Sequence, residues 1–372
     1  MKDLRKLQPA VALAGAVLLA SACGAEEPDR AVSADAPFSE VEQITNYSDA
    51  DREQYLFDCA KTEGSVTLYT SSSVAEDLLA PAFEEKYQGV EMEVNTATNQ
   101  LVQQIIEEEE ADVHNFDVYG DIYGNIVRDS TYFARYSSPN TEAVLDDLVT
   151  PYSVSANGFI MGAAYNPDLV TGDDIPTSYE DLADPKWEGK IAGGYDTSTP
   201  VTYAVARATL GDEFMEEFSN NVAVTEGVSS RGVADLMEAG TFPIAWSVSA
   251  SYHQNDFLAQ GLPFRFVSLD PMVGFYSDFS ISAHAPHPCA ATLLVDWMID
   301  TQPGGGQEVW HEYGALSPLK DGPRLYFEIE GTDQSTWNVI PSSEPSIVEG
   351  FDDYPEAAAA HLEDFRNQFI RN

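Results

Sequence analysis

Three short runs of hydroxyl side chains stand where the pattern changes to a helix. "VTLYTSSSVAEDLL", residues 66–79, places Ser71, Ser72 and Ser73 between alternating apolar residues and a helical pattern. "YDTSTP", residues 195–200, puts Thr197, Ser198 and Thr199 ahead of a second helical stretch. "SSRG", residues 229–232, adds Arg231 to a third such start. A helix N-terminus offers unpaired N–H groups and the positive end of its dipole. Hydroxyls add donors without bulk, so such starts suit an anionic or otherwise polar ligand. Arg231 could clamp a carboxylate or phosphonate through two parallel bonds. The competing reading is capping alone. Ser73 with Glu76 three places later fits a capping box, in which the hydroxyl only starts the helix.

The residue patterns of covalent chemistry are missing. There is no GxSxG, no phosphate loop and no Gly-rich dinucleotide fingerprint after a strand. The six histidines are scattered, without HxxxH or a Cys/His zinc spacing. "HEYG" at 311 lacks the second His of a zinc-protease motif. With 62 Asp and Glu residues, carboxylate pairs carry almost no information. A binding protein is the stronger class, and an enzyme the weaker.

The elements that must position these runs alternate between strand and helix. "SDADREQYLFDCAKTEG" reads as a helix capped by Ser48 or Asp49 and ended by Gly64. "SVTLYT" is a first strand, "VEMEVNTAT" a second and "FDVYGD" a third. Pro81 should bend or loosen the helix after the serines. "NQLVQQIIEEEEADV" is a helix whose acidic end is an unfavourable place for carboxylates. A long extended run follows in "SVSANGFIMGAAYNPDLV", then further helices and strands, and "HPCAATLLVDWMID" is a strongly apolar helix. The alternation predicts an α/β architecture with sheets covered on both faces.

The chain has 372 residues, 44% of them hydrophobic, enough for two lobes with separate cores. Its 18 basic against 62 acidic residues give a net charge of -44. That surface repels nucleic acid and anionic headgroups, and is read as a solubility adaptation. At the N-terminus, Lys2, Arg5 and Lys6 precede an apolar stretch from Ala10 to Ala20, too short to span a bilayer. It ends in "LASAC", which resembles a lipobox in which Cys23 is lipidated; Leu19 sits one place early for that pattern. Lipidation implies stable anchoring, and export implies an oxidising compartment. Cys59 and Cys289 then remain, either as one disulfide or as two buried thiols.

Several phrases together resemble bacterial extracellular solute-binding proteins of the ferric-iron-binding group. They are "AKTEGSVTLYTSSS", "AAYNPDLV", "PTSYEDLADPKWEGKIA", "LAQGLPFRFVSLDP", "SISAHAPHPCAATLLVDWM" and "EYGALSP", in that order, over about residues 49 to 320. The resemblance implies a two-lobed periplasmic-binding fold of type II, with a ligand cleft between the lobes. It implies a cargo-delivering lipoprotein of an ABC importer, with no catalysis and no cofactor. Residues 1–22 would be the lipoprotein signal peptide and 23–47 an acidic flexible tether. Residues 48–152 would form the first part of lobe one, 153–274 lobe two, and 275–372 the return to lobe one with C-terminal helices. Partners would be a small-molecule or ion cargo, an ABC permease and, through the lipid, the membrane, with a monomer expected.

The same resemblance places the serine and threonine runs, Asp121, Arg231, Ser249 and Tyr252 around the cleft. Iron binders of the group use paired adjacent tyrosines, whereas "SVSASYHQND" offers Tyr252 between Ser251 and His253. Tyr252, His253 and Asp121 would be the metal ligands if iron(III) were the cargo. The leading expectation is a small polar or anionic solute. The alternatives are ferric iron and, less well supported, a secreted enzyme on the same fold.

Overall fold

The computed structural model describes residues 38–72, 74–96, 101–122, 131–194, 198–224, 228–252, 260–321, 325, 329, 333–342 and 354–370, without the side chains of 230, 231, 252 and 354–359. Ten strands form one sheet in which three parallel strands at each end flank a pair of long antiparallel ones. β1 (Ser65–Thr70) lies between β2 (Glu91–Thr96) and β3 (Val118–Asp121), all parallel. β4 (Val154–Tyr165), β5 (Ile191–Gly193), β6 (Val222–Val224), β7 (Ile244–Ser249) and β8 (Arg265–Val267) follow. β9 (Met272–Ile281) and β10 (Val339–Pro341) complete the sheet. The order is β2-β1-β3-β9-β4-β7-β5-β6, with β10 beside β9 and β8 beside β4.

β4 and β9 run antiparallel from Val154↔Phe279 to Met161↔Val273. They carry the sheet from one hydrophobic core to the other. The first core gathers Leu68, Phe83, Val118, Val154, Leu293 and Trp297. The second gathers Ile160, Tyr179, Tyr203, Phe218, Trp246 and Phe264. Ends of the same two strands serve both: Val154 and Phe279 lie in the first core, Ile160 and Met272 in the second. Large aromatics filling both cores explain how a chain this charged still folds, since each fully buried one contributes about 2–3 kcal/mol. The tail is shared: residues 279–315 feed the first core, while Leu316, Trp337, Phe365 and Phe369 join the second.

Local chemistry sets the element boundaries. Gly64 closes the helix Arg52–Glu63 in the left-handed region at φ 90°, its N–H bonded to the Ala60 carbonyl. That helix starts at Asp51, three residues past Ser48, without a side-chain cap. After the serines the chain makes one wide turn, Ala75–Leu79, before the α-helix Ala80–Lys86. Pro81 has no N–H and crowds the carbonyl four residues back, so the wide turn is the loosening its position predicts.

The tether expected for 23–47 is corrected at its C-terminal end. Ser39 and Glu42 form a reciprocal capping box for the helix Glu40–Thr45. Arg135 holds Glu42 at 2.8 Å, which pulls its carboxyl down to about 2. A buried ion pair, Arg52 Nε to Asp296 Oδ2 at 2.6 Å, then joins the next helix to Pro288–Met298. Tyr136 donates to Asp296 Oδ1 at 2.7 Å, and the Thr45 carbonyl accepts from Arg52 Nη2 at 3.1 Å. Full hydrogen bonding of this kind is what a buried pair needs.

Cys59 and Cys289 form a disulfide, with Cα atoms 5.8 Å apart. Cys23 lies outside the described residues. Beside the disulfide, Glu63 accepts from the N–H groups of Cys289 (3.1 Å) and Ala290 (2.8 Å), closing the start of the helix Pro288–Met298.

Candidate functional site

A row of polar residues crosses four adjacent strands where the two cores meet. Asp121 ends β3, and the register sets it opposite Asp278 on β9. Asp278 in turn faces Ser155 on β4. On the other flank, β1 pairs Thr70 with Gly120, so Ser71 comes level with Asp121. Direct cross-strand partners project from the same face of a sheet. The register therefore gathers Ser71, Asp121, Asp278 and Ser155, from segments more than two hundred residues apart.

Each carboxylate is held by a serine. Ser71 donates to Asp121 from both its hydroxyl and its backbone N–H. Ile122 N–H donates to Asp121 Oδ1 at 2.7 Å. The Ser155 hydroxyl donates to Asp278 Oδ1. Asp121 is only 4% exposed, and among the described residues no Lys, Arg or His pairs with it. Burial pushes its carboxyl above the ordinary value, and the Ile122 and Ser71 donors only partly offset that. Like charges directly opposite in a sheet are unfavourable, which adds to the cost of burying Asp121 as a charge.

A further acceptor lies next to this row on the other face of the sheet. β4 carries an irregularity between Ser155 and Asn157. Just past it, Asn157 pairs with Ser277, on the face opposite Asp278, and its side-chain oxygen is buried without a hydrogen-bond partner among the described residues. On the far side, Ile122 packs with Phe159, Phe275, Val201 and Val205. The last two belong to the helix Ser198–Leu210, whose first residues Ser198 and Thr199 are buried. The residue after Asp121 thus touches the second lobe, and the buried carboxylate lies at the seam.

Gly120 lets the row close up. A Cβ there would come within 2.2 Å of the Phe279 ring. Phe279 covers Gly120 as its register partner, one step from the Asp121–Asp278 pair.

Of the residues expected at a cleft, the structure joins Ser71 directly to Asp121. Ser72 serves the turn: its carbonyl accepts from Ala75 N–H at 3.2 Å, and its own N–H donates to Thr70 Oγ1 at 3.2 Å. In "SSRG", Ser229 is a helix cap whose hydroxyl accepts from Gly232 N–H at 3.2 Å. Ser249 accepts from Ser251 N–H at 3.3 Å, and Ser251 donates to the Gly314 carbonyl at 3.0 Å. Ser73, Thr197 and His253 lie outside the described residues, as do the side chains of Arg231 and Tyr252.

Sequence reasoning missed Asp278, Ser155 and Asn157. The signal was available in "GFYSDFSIS", where one acid interrupts an apolar strand. Its pairing with Asp121 needed the register of β3 against β9. The set offers carboxylate and serine hydroxyl oxygens. It can hold a donor-rich or cationic group.

Comparison with known proteins agrees with this architecture. The sequence model of a family described as bacterial extracellular solute-binding protein matches residues 69–304. No curated protein matches the sequence. Among solved structures, iron-bound HitA from Pseudomonas aeruginosa is similar at 19% identity and TM-score 0.65, covering 81% of this chain and 98% of its own. The substrate-binding protein of an ABC transporter from Agrobacterium tumefaciens matches at 14% identity and TM-score 0.67, covering 84% and 97%. AfuA from Actinobacillus pleuropneumoniae, with fructose-6-phosphate bound, matches at 18% and TM-score 0.59, covering 83% and 99%.

Proposed function

Because the chain belongs to the bacterial extracellular solute-binding protein family, we propose that it captures a small polar solute between its two lobes and hands it to the permease of an ABC importer, without chemistry on the cargo. The observation that carries this reading is the buried Asp121, held by Ser71 and set opposite Asp278 at the seam between the cores. A ligand's donor-rich part lies at Asp121. Any anionic part lies toward the helix start at Ser198 and Thr199, where N–H groups and the dipole favour negative charge. β4 and β9 are the segments about which the lobes close.

Export through residues 1–22 and lipidation at Cys23 put the protein on the outer face of the membrane. Among the described residues no helix is long and apolar enough to cross a membrane. Cys23→Ala should release the protein from the membrane fraction; retention there would remove the lipid anchor from the account.

The cargo is identified by denaturing natively purified protein and weighing the small molecules released. One species at about one equivalent, rebound by the emptied protein, is the expected result. The reading fails if solutes of this class, tested at millimolar concentration, leave the emptied protein's melting temperature unchanged. Ferric iron is the second reading, favoured by the two carboxylates, since hard cations prefer oxygen ligands. Loading with ferric citrate separates the two: an iron site with a phenolate ligand such as Tyr252 gives a visible charge-transfer band, and a colourless protein excludes that set.

A further inference from the structure

In a regular strand, residues 155 and 157 would share a face. β4 breaks that rule. Ser155 pairs with Asp278 and Asn157 with the adjacent Ser277, so Ala156 is one residue too many for the ladder. Such a bulge reverses the alternation. It leaves Ser155 on the face of Asp121 and Asp278 and turns Asn157 and Ser277 to the other. Gln307 holds the bulge in place: its Nε2 donates to the Ala156 carbonyl at 2.8 Å and to the Met298 carbonyl at 2.7 Å.

On that second face the cross-strand pairs of β4 and β9 change character along the ladder. Val154↔Phe279 belongs to the first core. Phe159↔Phe275, with ring centroids 5.1 Å apart, packs with Val201 and Val205 of the helix Ser198–Leu210. Asn157↔Ser277 is the polar pair between them. β5 runs parallel to β7, and β7 runs antiparallel to β4 and ends beside Met161, so the helix that follows β5 starts toward the seam. Asn157 is 8% exposed, and its Oδ1 has no hydrogen-bond partner among the described residues. A buried amide left so is unfavourable until another group supplies the bond. Ser277, Phe159 and Ile122 are half-buried, so this face is not sealed.

We propose that Asn157 and Ser277 form a hydrogen-bonding subsite on the two crossing strands, which takes a hydroxyl group of the cargo; the inference rests on the reading that cargo lies between the lobes. A hydroxyl both donates and accepts, so it donates to Asn157 Oδ1 while accepting from the Ser277 hydroxyl. A carboxylate has no proton to give Oδ1. An ammonium group would donate to both residues, but the positive end of the helix Ser198–Leu210 disfavours a cation on this face. The cargo is therefore a hydroxylated solute. Asp121 and this subsite stand on opposite faces of the sheet, so the two contacts are separable by mutation.

The test is a calorimetric titration of the emptied protein with the solute released by denaturing natively purified parent. That solute should carry at least one hydroxyl. Asn157→Leu keeps the shape of the side chain and removes its polar atoms. It should bind the solute about tenfold more weakly, as for one lost hydrogen bond, while the empty variant melts at or above the parent's temperature. A purely structural Asn157 would give the same melting and no loss of affinity. Ser277→Ala, a half-buried change, should weaken binding about threefold in a folded protein. One deoxy analogue of the solute should bind the parent and Asn157→Leu equally. The inference is overturned if the released solute has no hydroxyl, or if Asn157→Leu and Ser277→Ala both bind it as tightly as the parent. The cargo reading would still stand in either case. If the emptied parent rebinds none of the released species, that reading fails and takes the inference with it.

Discussion

Asp117 and Asp121 are four residues apart, bracket the same short strand and are both buried, yet they are spent differently. Asp117 is fully buried and uses both oxygens on its own chain. Oδ1 takes the His287 N–H at 2.7 Å, and Oδ2 takes the Thr67 N–H at 2.8 Å and faces His287 Nδ1 at 3.0 Å. It thereby locks β1 and β3 to the start of the helix Pro288–Met298. Among the described residues Asp121 has only Ser71 and the Ile122 N–H, opposite a second carboxylate. The amino end of β3 is structural and self-sufficient; the carboxyl end retains acceptor capacity. In α/β sheets, ligands gather at the carboxyl ends of the strands, and this chain places Asp121 there.

The comparison breaks most visibly at Asp117. Asp117→Ala leaves the Thr67 and His287 donors without an acceptor and should cost about 4 kcal/mol, seen as a lower denaturant midpoint. Cargo affinity of the folded fraction should stay at the parent's level. An equal fall in affinity would mean that the two ends of β3 are not independent. Next comes the disulfide beside the same helix start: replacing Cys59 and Cys289 together by Ser should cost about 3 kcal/mol, again without a change in affinity. Gly120→Ala drives a methyl into the Phe279 ring and should cost about 2 kcal/mol. Because Phe279 adjoins Asp278, this variant should lose affinity as well as stability, which Asp117→Ala should not.

The smallest stability effect belongs to Asp121→Asn. Removing a buried charge offsets the weaker acceptor, so the net change should be below about 1 kcal/mol. Its pH dependence has a definite sign. Burial raises both Asp117 and Asp121 above their ordinary value of 3.8, so the folded chain holds those protons more tightly than the unfolded chain. That contribution to stability is fully present below 3.8 and is lost as pH rises through the folded values. Asp121→Asn removes one of the two groups, so its melting temperature should gain on the parent's between about pH 4 and neutrality. A difference that is flat with pH would mean that Asp121 is not held in a desolvated place.

Much of this was legible in the chain itself. "SVTLYT" marks β1 to the residue because alternation and Gly64 bound it on one side and the serines on the other. The phrase "FDVYGD" locates Asp121 at a strand end, and the Ser71 run locates its partner. The division of labour within that phrase was not legible. Asp117 and Asp121 are the same residue type in one short strand, and only His287, 170 positions away, makes the first structural. Nor could Asp278 be matched to Asp121, because register between β3 and β9 is a long-range property. The helix Glu40–Thr45 was missed for a different reason. Its capping box and short apolar pattern were present, but acidic, Ala-rich composition upstream masked a segment that Arg135 fixes in place.

The central claim is that Asp121 serves the cargo and not the fold. The most direct measurement is the affinity of Asp121→Asn for the solute released from natively purified parent, taken together with the variant's own melting curve. The account predicts a loss of affinity of about tenfold or more, as for a lost hydrogen bond to a charged group, in a protein that melts within a few degrees of the parent. A variant that melts normally and binds the released solute as tightly as the parent would contradict it.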